Sequence, residues 1–513
     1  MTQHFALENQ IELMAGKPRA ELTRDDLIQI ILDSGIERLT FHYTAIDGRI
    51  KELRIPITNR HQAEVILGEG ERVDGSSLFK GVVDAGKSDL YVVPVYRTAF
   101  INPFDETSLD FVCRFITGDG KLAPFAPDNI LLLTYEQLKK ETGLELHALG
   151  ELEFYLIGKV AEDLYPLPKQ AGYHGTAPFV KTTDMVNEML RIMTNITGEI
   201  KYAHNEVGYM PSIESENPLL SGKMAEQVEI EFLPTPIDET ADVVILGKWI
   251  VQNVADRYGM IATFYPKLEI GHAGSGLHFH TMLKRGNKNA MVNETGELSE
   301  DAMKLIGGFC KYAPTLSAFG NMTAASFLRL VPHQEAPTMV CWSYSNRSAL
   351  IRVPLGWRGI DNLAMAVNPQ QKEKLTFKDS RQTAELRSAD GSANTHLLLA
   401  GMATAAMWAF RNPEESLKIS KECFVQGNIH DNPELCARLV DIATSCEETA
   451  DELLAQRNLY EKEGIFPPSL IDKIAATLKE EKDAGYNRQI MEMDPTNARK
   501  EARKLMHINF TKY

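Results

Sequence analysis

The chain has 513 residues, 44% of them hydrophobic and 24% charged, enough apolar material for a large core and more than one domain. Its net charge of −16 argues against nucleic acid or an anionic membrane as the main partner, but permits a nucleotide in a locally basic cleft. Six scattered cysteines without a Cys-x-x-Cys pair fit buried thiols in a reducing compartment better than a disulfide frame or a zinc cage.

Residues 1–20 read as an irregular N-terminal extension with no signal-peptide pattern. Thr23 and Asp26 form a capping box ahead of Leu27, Ile28, Ile31 and Leu32 on one helical face, stopped by Gly35. Leu39, Phe41 and Tyr43 alternate, Asp47-Gly48 makes a turn, and Ile50, Leu53 and Ile55 return, which is a β-hairpin pattern. Residues 73–77 read as a loop by composition and 91–95 as a short strand. Residues 21–124 thus form a small α+β domain, and 123–127, rich in Pro and Ala, read as a linker. Residues 125–513 form a second domain. There Asp128 is expected to cap a helix that ends before Gly143. Residues 213–224 read as an exposed insertion, and Leu246, Ile250, Val254 and Tyr258 mark a helix closed by Gly259. From about 395 onward the chain is helical, with amphipathic runs near 433–459 and 467–480. The longest nearly apolar run, about 397–410, is too short to cross a membrane, so a soluble cytoplasmic protein is expected.

In Gly150-Glu-Leu-Glu-Phe-Tyr-Leu-Ile157, Leu152, Phe154 and Leu156 alternate with Glu151 and Glu153, so both carboxylates leave one side of a strand. A lone Glu-x-Glu is ordinarily a solvated face. Here Glu206, Glu229, His278 and Glu385 also sit on short strand-like or turn-like segments. Five carboxylates and an imidazole suit two adjacent Mg²⁺ or Mn²⁺ ions. Arg329 and Glu335 fall on a proline-broken segment read as a loop, and Arg347, Arg352 and Arg387 add forked cations suited to phosphate and carboxylate. Metal ligands and arginines together point to phosphoryl transfer. Neither a P-loop nor a Gly-x-Gly-x-x-Gly fingerprint is present.

Along nearly its whole length the chain resembles the glutamine synthetase family, type I-like. The motifs are Val73-Asp-Gly-Ser-Ser77, Gly150-Glu-Leu-Glu-Phe154, Gly274-Ser-Gly-Leu-His278, Arg329-Leu-Val-Pro with Glu335-Ala-Pro337, Asn346-Arg-Ser-Ala with Ile-Arg352, and Glu385-Leu-Arg387. The resemblance implies an α+β fold: an N-terminal β-grasp domain, then a catalytic domain with a curved antiparallel sheet flanked by helices. It implies a homo-oligomer of two stacked hexameric rings with active sites between subunits. Glu153, Glu206 and Glu229 would hold one metal, and Glu151, His278 and Glu385 the second, beside the phosphates of ATP. Glu231 shares a strand face with Glu229 and competes for its role. Arg347 and Arg352 would steady the transferred phosphate, with His280 also at ATP. Arg329, Arg387 and Gly274 would bind the amino acid, a neighbouring subunit's Asp74 would take the ammonium proton, and Glu335 would shield the intermediate. The implied reaction is ATP-dependent joining of glutamate and ammonium. The alternatives are a γ-glutamyl ligase for a polyamine or other amine, and an inactive ring-forming relative.

Three departures matter. Ala273 stands where the family has Asn against the substrate amino acid, and Thr383 stands where it has an arginine at the nucleotide. No tyrosine lies between Arg411 and Leu459, so control by adenylylation is expected to be absent.

Overall fold

Two sheets order the chain in the computed structural model, which describes residues 5–159, 164–331, 337–356, 362–374, 379–427 and 437–513. The first contains β1 (Arg38–Thr44), β2 (Ile50–Pro56), β3 (Glu71–Asp74), β4 (Asp89–Pro94), β5 (Phe100–Ile101) and β6 (Ser108–Ile116). Its order is β2-β1-β6-β4-β3, with β5 on β6. The hairpin β1–β2 follows from its alternating pattern, and β1 lies parallel to β6, which comes from much later in the chain. Helices Arg24–Ser34 and Arg60–Glu69 accompany this sheet, and Leu27, Phe41, Phe111 and Phe115 are wholly buried in its core. The Thr23–Asp26 capping box and the left-handed Gly35 stop are both present.

The second sheet contains β7 (Glu145–Gly158), β8 (Ile200–Met210), β9 (Met224–Phe232), β10 (Thr235–Pro236), β11 (Ile261–Thr263), β12 (Leu277–Arg285), β13 (Lys288–Asn289), β14 (Trp342–Tyr344), β15 (Ile351–Val353) and β16 (Ala384–Leu386). Its main path is β14-β15-β16-β12-β7-β9-β8. Every pairing along it is antiparallel except β14 with β15, which is parallel, so the sheet is mixed. Helices Pro127–Thr142, Ile237–Arg257, Glu300–Gly320 and Thr395–Arg411 supply the apolar layer against it. Thr395–Arg411 is almost wholly buried, which explains why it is apolar all round.

Several local expectations are corrected. Residues 10–15 form a helix capped by Asn9, whose amide donates to the Ile196 carbonyl at 2.7 Å, so this part of the extension is docked. Residues 73–77 are the end of β3 and a helical turn, with Asp74 as N-cap. Asp128 lies inside helix Pro127–Thr142, buried, and Ala126 takes the cap position because Pro127 occupies the first turn. The 213–224 segment buries Ile213 and Leu220, and Ser215 meets His507 at 2.9 Å. In the 433–459 run, residues 437–445 are not helical; helix Cys446–Ala455 begins only at its Ser445 cap, and 428–436 lie outside the described residues. Among the described residues no helix is long and apolar enough to cross a membrane.

The two domains share a buried ion pair. Arg114 on β6 donates to both carboxylate oxygens of Asp242, at 3.2 and 2.6 Å. Burial would raise the Asp242 carboxyl, but the guanidinium and His396 hold it well below the usual range.

Candidate active site

Strand order explains how residues far apart in sequence converge. Reading β16-β12-β7-β9-β8 across the sheet places Glu385, then His278 and His280, then Glu151 and Glu153, then Glu229 and Glu231, then His204 and Glu206 on adjacent strands. In register, His278 faces Glu151, His280 faces Glu385, and Glu153 faces Glu229. A period of two keeps each strand's donors on one face. That face floors a cleft of about 720 Å³ lined by Glu151, Glu153, Glu206, Glu229, His278 and Glu385, and by Arg329, Arg347, Arg352 and Arg387.

Two donor sets lie in this cleft. In the first, the His278 ring nitrogen Nδ1 is 3.0 Å from Glu151 Oε2 and 3.7 Å from Glu385 Oε1. Arg329 lies 3.1 Å from the other ring nitrogen. A guanidinium can only donate, so Nε2 accepts and Nδ1 carries the proton toward Glu151. The second set joins Glu206 and Glu229 through His204, whose Nε2 is 3.2 Å from Glu229 and whose Nδ1 is 3.8 Å from Glu206. The donor atoms of each set lie within 4.8 Å of one another. Glu153 stands between them: its Oε2 accepts from the Gly276 amide at 2.6 Å, and its Oε1 is 4.0 Å from His278.

The sets differ in charge balance. Burial opposes ionisation of Glu151, yet the His280 and His278 imidazoles hold it well below the usual glutamate range. Glu229 is pushed up to about 8, first by burial and then by the carboxylates of Glu151, Glu153 and Glu206, with only His204 opposing. Burial would lower His204, but Glu229 and Glu206 push it up to about 9. The second set therefore retains protons that a cation could replace.

Local sequence shapes the cleft. Gly274 and Gly276 lie where Arg329 crosses the strand entry. A Cβ at Gly274 would stand 3.0 Å from the arginine stem, and one at Gly276 would stand 2.7 Å from its guanidinium. The β8–β9 register breaks between Asn205 and Tyr209, and this irregularity contains Glu206, as bulges beside sites commonly re-aim a side chain.

The arginines are already engaged. Arg329 closes helix Ala324–Arg329 instead of lying on a loop, and donates to the Ser388 carbonyl at 2.9 Å. Arg352 and Arg387 both donate to Glu385. Burial holds Arg387 below the usual arginine value despite that carboxylate. Burial opposes the charge on Arg347, which is nevertheless raised by its bond to Tyr173.

Two expected residues do not line the cleft floor. His280 is buried, 2.8 Å from Glu151 and 3.0 Å from Thr383, so both ring nitrogens are engaged and an ATP contact has no free edge. Asp74 is exposed at the far edge of the first sheet and accepts from Ser76 and Ser77, which hold its carboxyl at about 2. Glu335 lies outside the described residues. Conversely, His204, Gln170, Tyr173 and Tyr202 line the cleft without having been singled out. The alternation that flagged Glu151 and Glu153 applies equally to His204 and Glu206, so that histidine carried a signal. Gln170 carried none. Glu231 bonds to Lys201, whereas Glu229 joins the His204–Glu206 set, which separates the two strand neighbours.

Residues 126–497 match the model of the glutamine synthetase catalytic domain, and residues 35–118 that of the glutamine synthetase beta-grasp domain. The chain belongs to the glutamine synthetase family. A glutamine synthetase of Pyrococcus horikoshii is 32% identical over 76% of this chain and 77% of its own length. One from Thermococcus kodakarensis is 30% identical over 85% and 87%. Among solved structures, Plasmodium falciparum glutamine synthetase shares the fold with a TM-score of 0.71 at 21% identity, covering 93% of this chain and 98% of that one. A GmaS/ADP complex does so with a TM-score of 0.68 at 18% identity, covering 93% and 99%. As a member of the glutamine synthetase family, the chain is a ligase of the type that forms a C–N bond.

Proposed function

We propose that the chain joins glutamate and ammonium with ATP, through γ-glutamyl phosphate. The observation that carries this reading is the pair of donor sets in one cleft with four arginines. The residues fit two hard divalent cations: the donors are carboxylate oxygens with one imidazole each, and the second set holds surplus protons that an ion would displace. Glu151, His278 and Glu385 would hold one Mg²⁺ or Mn²⁺, and Glu153, Glu206 and Glu229, with His204 beside them, the other. Such ions, when bound, neutralise charge on the transferred phosphoryl group.

The chain's own groups supply the rest. A carboxylate is a poor electrophile, so the γ-carboxylate takes the terminal phosphoryl group of ATP, releasing ADP, and ammonia then displaces phosphate. Arg347 and Arg352 would steady the transferred group, and Arg329 and Arg387 the amino acid's carboxylates, with Gly274 beneath. Ammonium becomes a nucleophile only after losing a proton, and Asp74 of a neighbouring copy would receive it. Asp74's place outside its own chain's cleft suits that role in an assembly, for which stacked hexameric rings are proposed. Glu335 would keep water from the acyl phosphate. His280 serves better as a support for Glu151 than as an ATP contact.

Metal-dependent phosphate release from ATP, glutamate and ammonium tests this reading; no release in the presence of all three rejects it. A second reading, ligation of an organic amine, has one observation in its favour. Tyr173, His174, Tyr202 and His204 form a run of ring contacts 4.4 to 5.8 Å apart beside Glu206 and Glu229. The Tyr173 and Tyr202 faces of that run, beside carboxylates, suit an alkylammonium. Profiling amines against ammonium separates the two.

A further inference from the structure

We infer that Gln170 is a substrate-binding residue that donates its side-chain amide to a carboxylate of the amino-acid substrate. The inference rests on the ligase reading above. Gln170 lies in the left-handed region at φ +56°, which a non-glycine residue rarely occupies without a reason in the surrounding structure. Two bonds hold it there. Its backbone N–H donates to the Tyr209 carbonyl at 3.3 Å, and its Oε1 accepts from the Ala273 N–H at 2.6 Å. A backbone N–H can only donate, so the atom facing Ala273 is the oxygen, which fixes the orientation of the amide.

The other end of that amide is left over. Gln170 Nε2 is buried and has no acceptor among the described residues. A buried donor without a partner carries a desolvation cost that a ligand can remove. Gln170 lines the cleft together with Lys267, His272, Gly274 and Arg329. An NH₂ group only donates, so what meets it must accept. Arg329 and Lys267 line the same cleft, and their charge favours an anionic acceptor. The anionic group of a glutamate-like substrate is a carboxylate. Ala273 has no side chain beyond Cβ, so nothing from that position fills the space beneath the amide, and its carbonyl is tied to the Tyr155 hydroxyl at 2.8 Å.

The decisive variant is Gln170→Gly. Glycine adopts φ +56° freely, so this change removes the amide while relieving the backbone, and thermal stability is expected to fall only slightly, because the Ala273 N–H loses its acceptor. Losing a hydrogen bond to a charged group is expected to raise KM for glutamate about tenfold to a hundredfold, with KM for ATP within about twofold of wild type. Gln170→Glu, which places a carboxylate against the substrate's, is expected to raise it further. A purely structural role for Gln170 moves stability but not the ratio of the two KM values. Wild-type turnover with an unchanged glutamate KM in Gln170→Gly overturns this inference alone. Absence of wild-type turnover with glutamate overturns the ligase reading and this inference with it.

Discussion

Glu151 and Glu229 sit on neighbouring strands of one sheet, over one cleft, and are driven in opposite directions. Glu151 lies between two imidazoles and is held ionised. Glu229 shares its surroundings with three other carboxylates and one imidazole, and keeps its proton to about pH 8. The residue type is the same, so the difference lies in which groups the strand register brings opposite. The first set is balanced by the chain itself; the second sets one imidazole against several carboxylates and keeps a surplus that a proton or a metal ion offsets. A pair of sites built this way is expected to load cations unequally.

The sharpest way to break the comparison is Glu151→Gln. It removes the charge between His278 and His280 and is expected to lower metal-dependent turnover about a thousandfold. The metal-free protein should lose about 2 kcal/mol of stability, read by urea unfolding, because charged hydrogen bonds disappear. Glu229→Gln is expected to lower turnover about a hundredfold but raise metal-free stability at pH 7, since folding there must protonate a carboxylate that the unfolded chain holds ionised, a cost the amide avoids.

The pH dependence should show the same contrast. Glu151 is lowered on folding, so its contribution is present above the unfolded glutamate value and is lost as pH falls below it. Glu229 is raised, so its contribution is present below the unfolded value and is lost as pH rises toward about 8; His204, raised to about 9, acts in the same direction. Metal-free stability at pH 9 should therefore be lower than at pH 6, and Glu229→Gln should flatten that slope. Divalent affinity of the second set should instead rise over the same range, by up to about tenfold per unit below pH 8, with proton release measurable by calorimetry in two buffers. The smallest effect is expected at Asp74→Asn. It should leave both affinities within about twofold while weakening ammonium-dependent turnover, because Asp74 stands outside its own chain's cleft.

Much of this arrangement was legible because alternation marks which side chains share a face. The pattern around Leu152 and Phe154 located β7, and the spacing of Leu39, Phe41 and Tyr43 located the hairpin. What alternation cannot give is pairing. Nothing within residues 200–232 says that Glu229 meets His204 while Glu231 meets Lys201; that follows from how β8 and β9 align around an irregularity. The parallel β14–β15 pair and the parallel β1–β6 pair were hidden for the same reason, since a parallel partner leaves no local turn. Arg329 looked like a loop residue because prolines follow it, yet the helix ends on it and points it over two glycines. Gln170 was invisible: a polar residue in a connecting segment has no periodicity, and its role depends on an amide and a strained dihedral that only the folded chain fixes.

The most direct test titrates Mn²⁺ into the metal-free protein at pH 7.5 and follows the free ion by electron paramagnetic resonance. Two bound ions per chain are expected in wild type, with Glu229→Gln weakening one of them and Glu385→Gln the other. Binding of fewer than two ions in wild type, or two that neither substitution disturbs, would contradict this expectation.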